Sequence, residues 1–163
     1  MQRLMLWASR SASRSRPDKP ANGTVWTQQG NKLVGTGAVG VARQGHSVAI
    51  SADGNNAIVG GPYDNSYIGA AWVYRRGGTV WSQQGNKLVG TAAMGHPEQG
   101  FSVALSADGN TAVVGGFGDD ANGAAWVFIR SGGVWTQQGS KLVGTGAVGP
   151  QVSSLEVKVL CPT

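Results

Sequence analysis

Residues 44–61 read QGHSVAISADGNNAIVGG and residues 99–116 read QGFSVALSADGNTAVVGG, two stretches 55 residues apart that agree at 14 of 18 positions. The segment VWTQQGNKLVGTGAVG at 25–40 returns as VWTQQGSKLVGTGAVG at 134–149, with one change in sixteen. Self-similarity at this spacing indicates a supersecondary unit built more than once, stacked or set radially, rather than one irregular core.

Each unit divides into four short strand candidates. In the first, Gly45–Ser51 alternates, with Val48 and Ile50 on one face. Asp53-Gly54 within Ala52–Asn55 is a hairpin turn. Ala57–Val59 runs back and is expected to stop at Gly60-Gly61. A variable loop, Pro62–Gly69, precedes Ala70–Tyr74, in which Trp72 and Tyr74 share a face. Arg76-Gly77-Gly78 turns the chain into Val80–Gln83, and Gly85–Gln99 connects to the next unit. The second unit repeats this as Phe101–Ser106, Thr111–Val114, Ala124–Phe128 and Val134–Gln137. Its one length change falls in the loop, Phe117–Gly123, where surface chain tolerates insertion. The expected fold class is all-β, with antiparallel four-stranded blades of an incomplete or open β-propeller.

Composition agrees with many short strands and tight turns. Glycine is 27 of 163 residues and charged side chains are only 13%. No 3.6-residue apolar stripe marks a long helix, and no apolar run is long enough for a membrane helix. The net charge of +5 sits mainly in the first 22 residues, where five basic side chains oppose Asp18. The repeats at 23–149 carry seven basic and six acidic side chains, so they form no basic face, and nucleic acid is not an expected partner. Residues 1–22 read as a basic Arg/Ser-rich leader, either a transit-type targeting peptide or a disordered segment outside the true domain, and Asn22-Gly23-Thr24 is a formal glycosylation sequon. The expected organisation is a first unit at 25–79, a second at 80–133, the start of a third at 134–149, and a divergent tail at 150–163. The single cysteine, Cys161, excludes an internal disulfide framework and reads as an incidental thiol.

The pieces QG-[HF]-SVA-[IL]-SADGN and [IV]-VGG, with GAAWV and WTQQG following, resemble FG-GAP repeats. These are the blades of the β-propeller in integrin α-subunits and in many bacterial surface and secreted proteins. The resemblance covers about 25–149. Gly45 and Gly100 match the glycine of the family's first element, with Gln44 and Gln99 where the family has phenylalanine. The resemblance implies an extracellular or cell-surface interaction module, non-enzymatic, with a protein or carbohydrate ligand. It also implies a calcium loop of several acids in the first hairpin. Here that hairpin has one acid per unit, Asp53 or Asp108, which suits a turn former better than a six-to-eight-oxygen cation site. No cofactor is therefore expected, with calcium the alternative that the resemblance carries.

The equivalent tryptophans (Trp26, Trp81 and Trp135; Trp72 and Trp126) are expected to pack between blades, because identical recurrence suits packing and a specific site needs positions that differ between copies. His46 stands where the other unit has Phe101, a partly buried ring position, and His96 precedes Pro97 in a solvated connection. No nucleophile–base set is recognisable, so no catalytic residue and no metal ligand is assigned. GTGAVG at 35–40 lacks the Lys-Ser/Thr of a phosphate loop and recurs as a connector. Partner contact is expected at the variable loops, through Tyr63, Asp64, Asn65, Tyr67, Phe117, Asp119, Asp120 and Asn122. Structural accessory repeats of a larger enzyme or adhesin are the alternative reading. Two units cannot close a ring of four to eight blades, so the chain is expected either to be a fragment or divergent remnant of a longer propeller or to assemble with itself through its open apolar blade faces.

Overall fold

The computed structural model describes residues 28–145. The leader, the sequon, Trp26, the tail and Cys161 lie outside the described residues. The fold is all-β: two four-stranded antiparallel sheets, each a meander in chain order. Blade 1 contains β1 (Ser47–Ile50), β2 (Asn56–Gly61), β3 (Ala70–Gly77) and β4 (Val80–Gln83). Blade 2 contains β5 (Ser102–Leu105), β6 (Thr111–Gly116), β7 (Ala124–Ser131) and β8 (Val134–Gln137). One short turn, α1 (Asp64–Tyr67), with left-handed backbone at Asn65 and Ser66, interrupts the loop of blade 1. No helix among the described residues is long and apolar enough to cross a membrane.

The registers match between blades. Ile58 faces Val73 and Val59 faces Trp72 in blade 1, as Val113 faces Val127 and Val114 faces Trp126 in blade 2. The Asp-Gly hairpins are built as expected. Asp53 accepts hydrogen bonds from the Ser51 hydroxyl and from the backbone and side-chain N–H of Asn55, and Asp108 does the same with Ser106 and Asn110. Each carboxylate thus closes an Asx-type turn.

The strands run further than the glycines suggest. β2 continues through Gly60-Gly61, and β3 continues to Gly77 before turning at Gly78-Thr79. These glycines are places of close approach rather than breaks. A Cβ on Gly60 would lie 2.0 Å from the Gly100 carbonyl oxygen, and one on Gly61 would lie 2.8 Å from both the Ala42 carbonyl oxygen and the Trp72 ring.

The main core lies between the blades. Ile58, Ala71 and Val73 of blade 1 pack against Ala112, Val114, Trp126 and Phe128 of blade 2. A second core, on the other side of blade 1, gathers Ala57, Val59, Trp72 and Tyr74 under Leu33 and Ala42 of the preceding connector. Trp72 and Trp126 are fully buried, as expected for packing residues. Each donates its indole N–H to a connector carbonyl, Thr36 or Thr91, at 2.8 Å. The outer tryptophans, Trp81 and Trp135, are half-buried beneath the guanidinium groups of Arg76 and Arg130. Val48 and Ile50 share a face of β1 and stay 43% and 42% exposed, while their equivalents Val103 and Leu105 pack on the inter-blade core.

Candidate ligand surface at the blade junction

The loops after β2 and β6 are anchored from within. Asp64 and Asp119, expected at the surface for partner contact, are buried and face the chain. Asp64 Oδ1 accepts the Val39 N–H at 2.7 Å, and its Oδ2 takes the Lys87 ammonium; Asp119 does likewise with Met94 N–H and Lys141. A buried carboxylate needs a cation and donors, and both are supplied by the flanking connectors. These two aspartates therefore position the loops, while Asn65, Asp120 and Asn122 remain exposed. Asp120 and Asn122 bond mainly within their own loop and its connector, through Asp120 N–H to Met94 O and Asn122 Nδ2 to Asp120 O.

The aromatic loop residues converge where the blades meet. Tyr63 and Tyr67 pack edge to face, with centroids 5.0 Å apart. Tyr67 stacks on His96 at 5.5 Å, with the ring planes 17° apart. The Arg43 guanidinium covers the outer side of the row, 4.5 Å from the Tyr63 centroid. A second row begins at His46, whose ring lies 4.6 Å from Phe101; Phe101 in turn lies 4.6 Å from Phe117. His46, one residue before β1, is exposed rather than partly buried, while its equivalent Phe101 is half-buried.

Glu98 links the rows. Its N–H donates to the Tyr67 carbonyl at 2.9 Å, and its own carbonyl accepts the Phe101 N–H at 3.0 Å. Burial pushes its carboxyl above the usual range, and the imidazoles of His46 and His96 pull against that shift. Both imidazoles thus act on one half-buried carboxyl. Among the described residues no group of three or more His, Cys, Asp or Glu is placed to hold a metal ion.

The backbone here is unusually constrained. Arg43, Asn65, Ser66, Tyr67 and Glu98 all have φ between 47° and 71°, a region that non-glycine residues rarely adopt. Such conformations persist where surrounding structure fixes them. The Asp64 anchor and the Glu98–Tyr67 hydrogen bond supply that fixing on either side of Tyr67.

The rings also occupy positions at which the two units differ. His46 corresponds to Phe101, Tyr63 to Gly118, His96 to Val41, and Glu98 to Arg43. Among the described residues the cluster therefore exists once, at this junction, on a frame of repeated packing. Of the residues expected at the surface, Tyr63, Tyr67 and Phe117 are brought together here. Phe101 joins them from the repeated QG-[HF]-SVA motif, and Arg43 and Glu98 join them with no sequence motif of their own. No protein-family model matches the chain, and no curated protein is similar to it in sequence.

Proposed function

We propose that this chain is a non-enzymatic interaction module of propeller-blade type, acting at a cell surface or in a secreted protein, and that it takes a protein or carbohydrate ligand at the blade junction. The observation that carries the reading is the pair of aromatic rows, Tyr63–Tyr67–His96 and His46–Phe101–Phe117. Their rings are held by backbone geometry and by one another rather than buried as core. Tyr67 and Phe117 are 45% and 44% exposed. Rigid, half-exposed aromatic side chains offer large contact area with little conformational entropy to lose, which suits both sugar faces and apolar peptide side chains. The resemblance to FG-GAP repeats supports the same class of function.

The test is a screen of the full-length protein on glycan and peptide arrays, followed by titration of each binder against Tyr67→Ala and Phe117→Ala. Both variants are expected to weaken binding at least about tenfold, near 1.4 kcal/mol each. Val134→Ala, on the far edge of blade 2, is expected to bind normally. Absence of any binder, or a binder indifferent to both ring deletions, overturns the proposal.

A further inference from the structure

The two blades meet through unlike faces. The trailing face of blade 1 (Ile58, Ala71, Val73) packs against the leading face of blade 2, centred on Trp126. Each half of this joint occurs once more in the chain, on an outer side. Trp72 and its neighbours, with half-exposed Val48 and Ile50, form the leading face of blade 1. Val113 and Val127, half-buried, form the trailing face of blade 2 at the positions of Ile58 and Val73. Among the described residues the chain thus displays both a closed joint and its two open halves.

The segment that seals the joint is also repeated. Along Gln83–Thr91, Gln84 N–H bonds Val73 O at 2.8 Å, Leu88 exchanges both backbone hydrogen bonds with Ala71, and Gly90 lies directly under Trp126. The segment Gln137–Thr145 reproduces the first half of this. Gln138 bonds Val127, Leu142 pairs with Ala125, and Lys141 meets Asp119. It lacks the second half: no atom of the described residues lies within 4 Å of the Cβ position of Gly144, and Leu142 is 58% exposed. The segment Gln28–Thr36 reproduces the second half, with Gly35 under Trp72. It lacks the first: Lys32 is exposed and forms no ion pair among the described residues. The two half-used segments differ at one position, Asn31 against Ser140.

We infer that the partner of these faces is a second copy of this chain. Blade 1 of the incoming copy docks on the trailing face of blade 2, and its Gln28–Thr36 takes the place of Gln137–Thr145. Lys32 then occupies the seat of Lys141 at Asp119, and Leu33 that of Leu142 beside Ala125. Because the sequences match, the ladder hydrogen bonds and the buried ion pair are replaced in kind, while the apolar residues of both open faces leave water. The displaced segment is the more exposed of the two, and the incoming one keeps its contacts with Trp72. The interface is head-to-tail, so a ring of four to eight blades closes at two to four copies.

Sedimentation velocity on the full-length protein, from micromolar to submillimolar concentration, is expected to show masses of two to four chains. Lys32→Glu places a like charge at Asp119 and is expected to weaken assembly at least about tenfold. It leaves the melting temperature of the single chain unchanged, because Lys32 makes no ion pair there. A second measurement is independent of that variant. Leu88 and Ala71 are an antiparallel hydrogen-bonded pair, about 5.5 Å between Cα atoms and within disulfide reach. Leu33→Cys and Ala125→Cys, each made with Cys161→Ser and then mixed, are therefore expected to give a disulfide-linked heterodimer. A single-chain mass at every concentration with no cross-link overturns the inference, as does assembly unaffected by Lys32→Glu.

Discussion

The Lys87 ammonium closes on the buried carboxylate of Asp64, and the same carboxylate holds the Val39 N–H from the connector on the other side of the blade. One side chain thereby ties the chain entering blade 1 to the chain leaving it. Removing the cation alone leaves a buried charge with too few partners, which is the costly way to break such a pair. Lys87→Met is expected to destabilise the protein by about 2–4 kcal/mol, and Asp64→Asn by less, since the amide oxygen still accepts from Val39 and Lys87 can turn to solvent. Urea unfolding measures both. Equal losses from the two variants would show that the pair does not act through the buried carboxylate.

Gly90 and Gly144 test the packing of the connectors at matched positions. A Cβ on Gly90 would lie 2.1 Å from Trp126 Cδ1, an overlap that only movement of the indole or the connector relieves. Gly90→Ala is expected to cost at least about 3 kcal/mol, at the upper end of overpacking effects. Gly144→Ala meets nothing within 4 Å among the described residues and is expected to change stability by less than about 0.5 kcal/mol. Thermal melts of the two variants, side by side, decide whether the indole rests on the glycine.

These cases show what the sequence can disclose. Alternation in SVAI and the Asp-Gly turn place β1, β2 and their hairpin, because strand period and turn chemistry are local. The path of β2 through Gly60-Gly61 is not local, since it depends on where Gly100 and Trp72 approach. The buried role of Asp64 and Asp119 had a usable signal: each recurs in the same loop, with a lysine 23 or 22 residues later that closes on it. Gln44 and Gln99 had another, each nine residues after the glycine whose backbone N–H and carbonyl it bonds. The aromatic rows had a partial one: His46, Tyr63 and His96 differ between the units, and Tyr63, Tyr67 and Phe117 lie in the variable loops, but nothing in the sequence pairs one ring with another. Their contacts join residues from the two variable loops and from the segments that lead into β1 and β5, and only the fold brings these together.

Tyr74 carries a hydroxyl that its environment does not use. The side chain is buried in the core beside Trp72, and its hydroxyl has no hydrogen-bond partner among the described residues. Blade 2 has Phe128 at the equivalent position. Burial pushes the phenol up to about 12, so the neutral form is favoured in the folded chain. Stability is therefore expected to fall as pH rises from about 10 through about 12, as the unfolded chain ionises first. Tyr74→Phe is expected to raise stability by about 1 kcal/mol at neutral pH, by removing an unsatisfied buried hydroxyl, and to flatten the alkaline loss. Chemical denaturation of both proteins at pH 7 and pH 11 measures each effect.

Asp108 gives the opposite pH dependence. The Ser106 hydroxyl, then the backbone and side-chain N–H of Asn110, stabilise its charged form and hold the carboxyl down at about 2. Asp53 is lowered by the same contacts in blade 1, led by Ser51. The folded values lie below the ordinary value of 3.8, so the unfolded chain takes up protons first. The turns' contribution is therefore complete above about pH 4 and is lost as pH falls towards about 2. Carboxyl-carbon NMR titration is expected to place Asp108 near 2, and Asp108→Asn to reduce the acid sensitivity of unfolding. A titration midpoint at the ordinary value of 3.8 would mean that the hydroxyl and amide donors do not engage the carboxylate in solution, and that the hairpin is held by its strands alone.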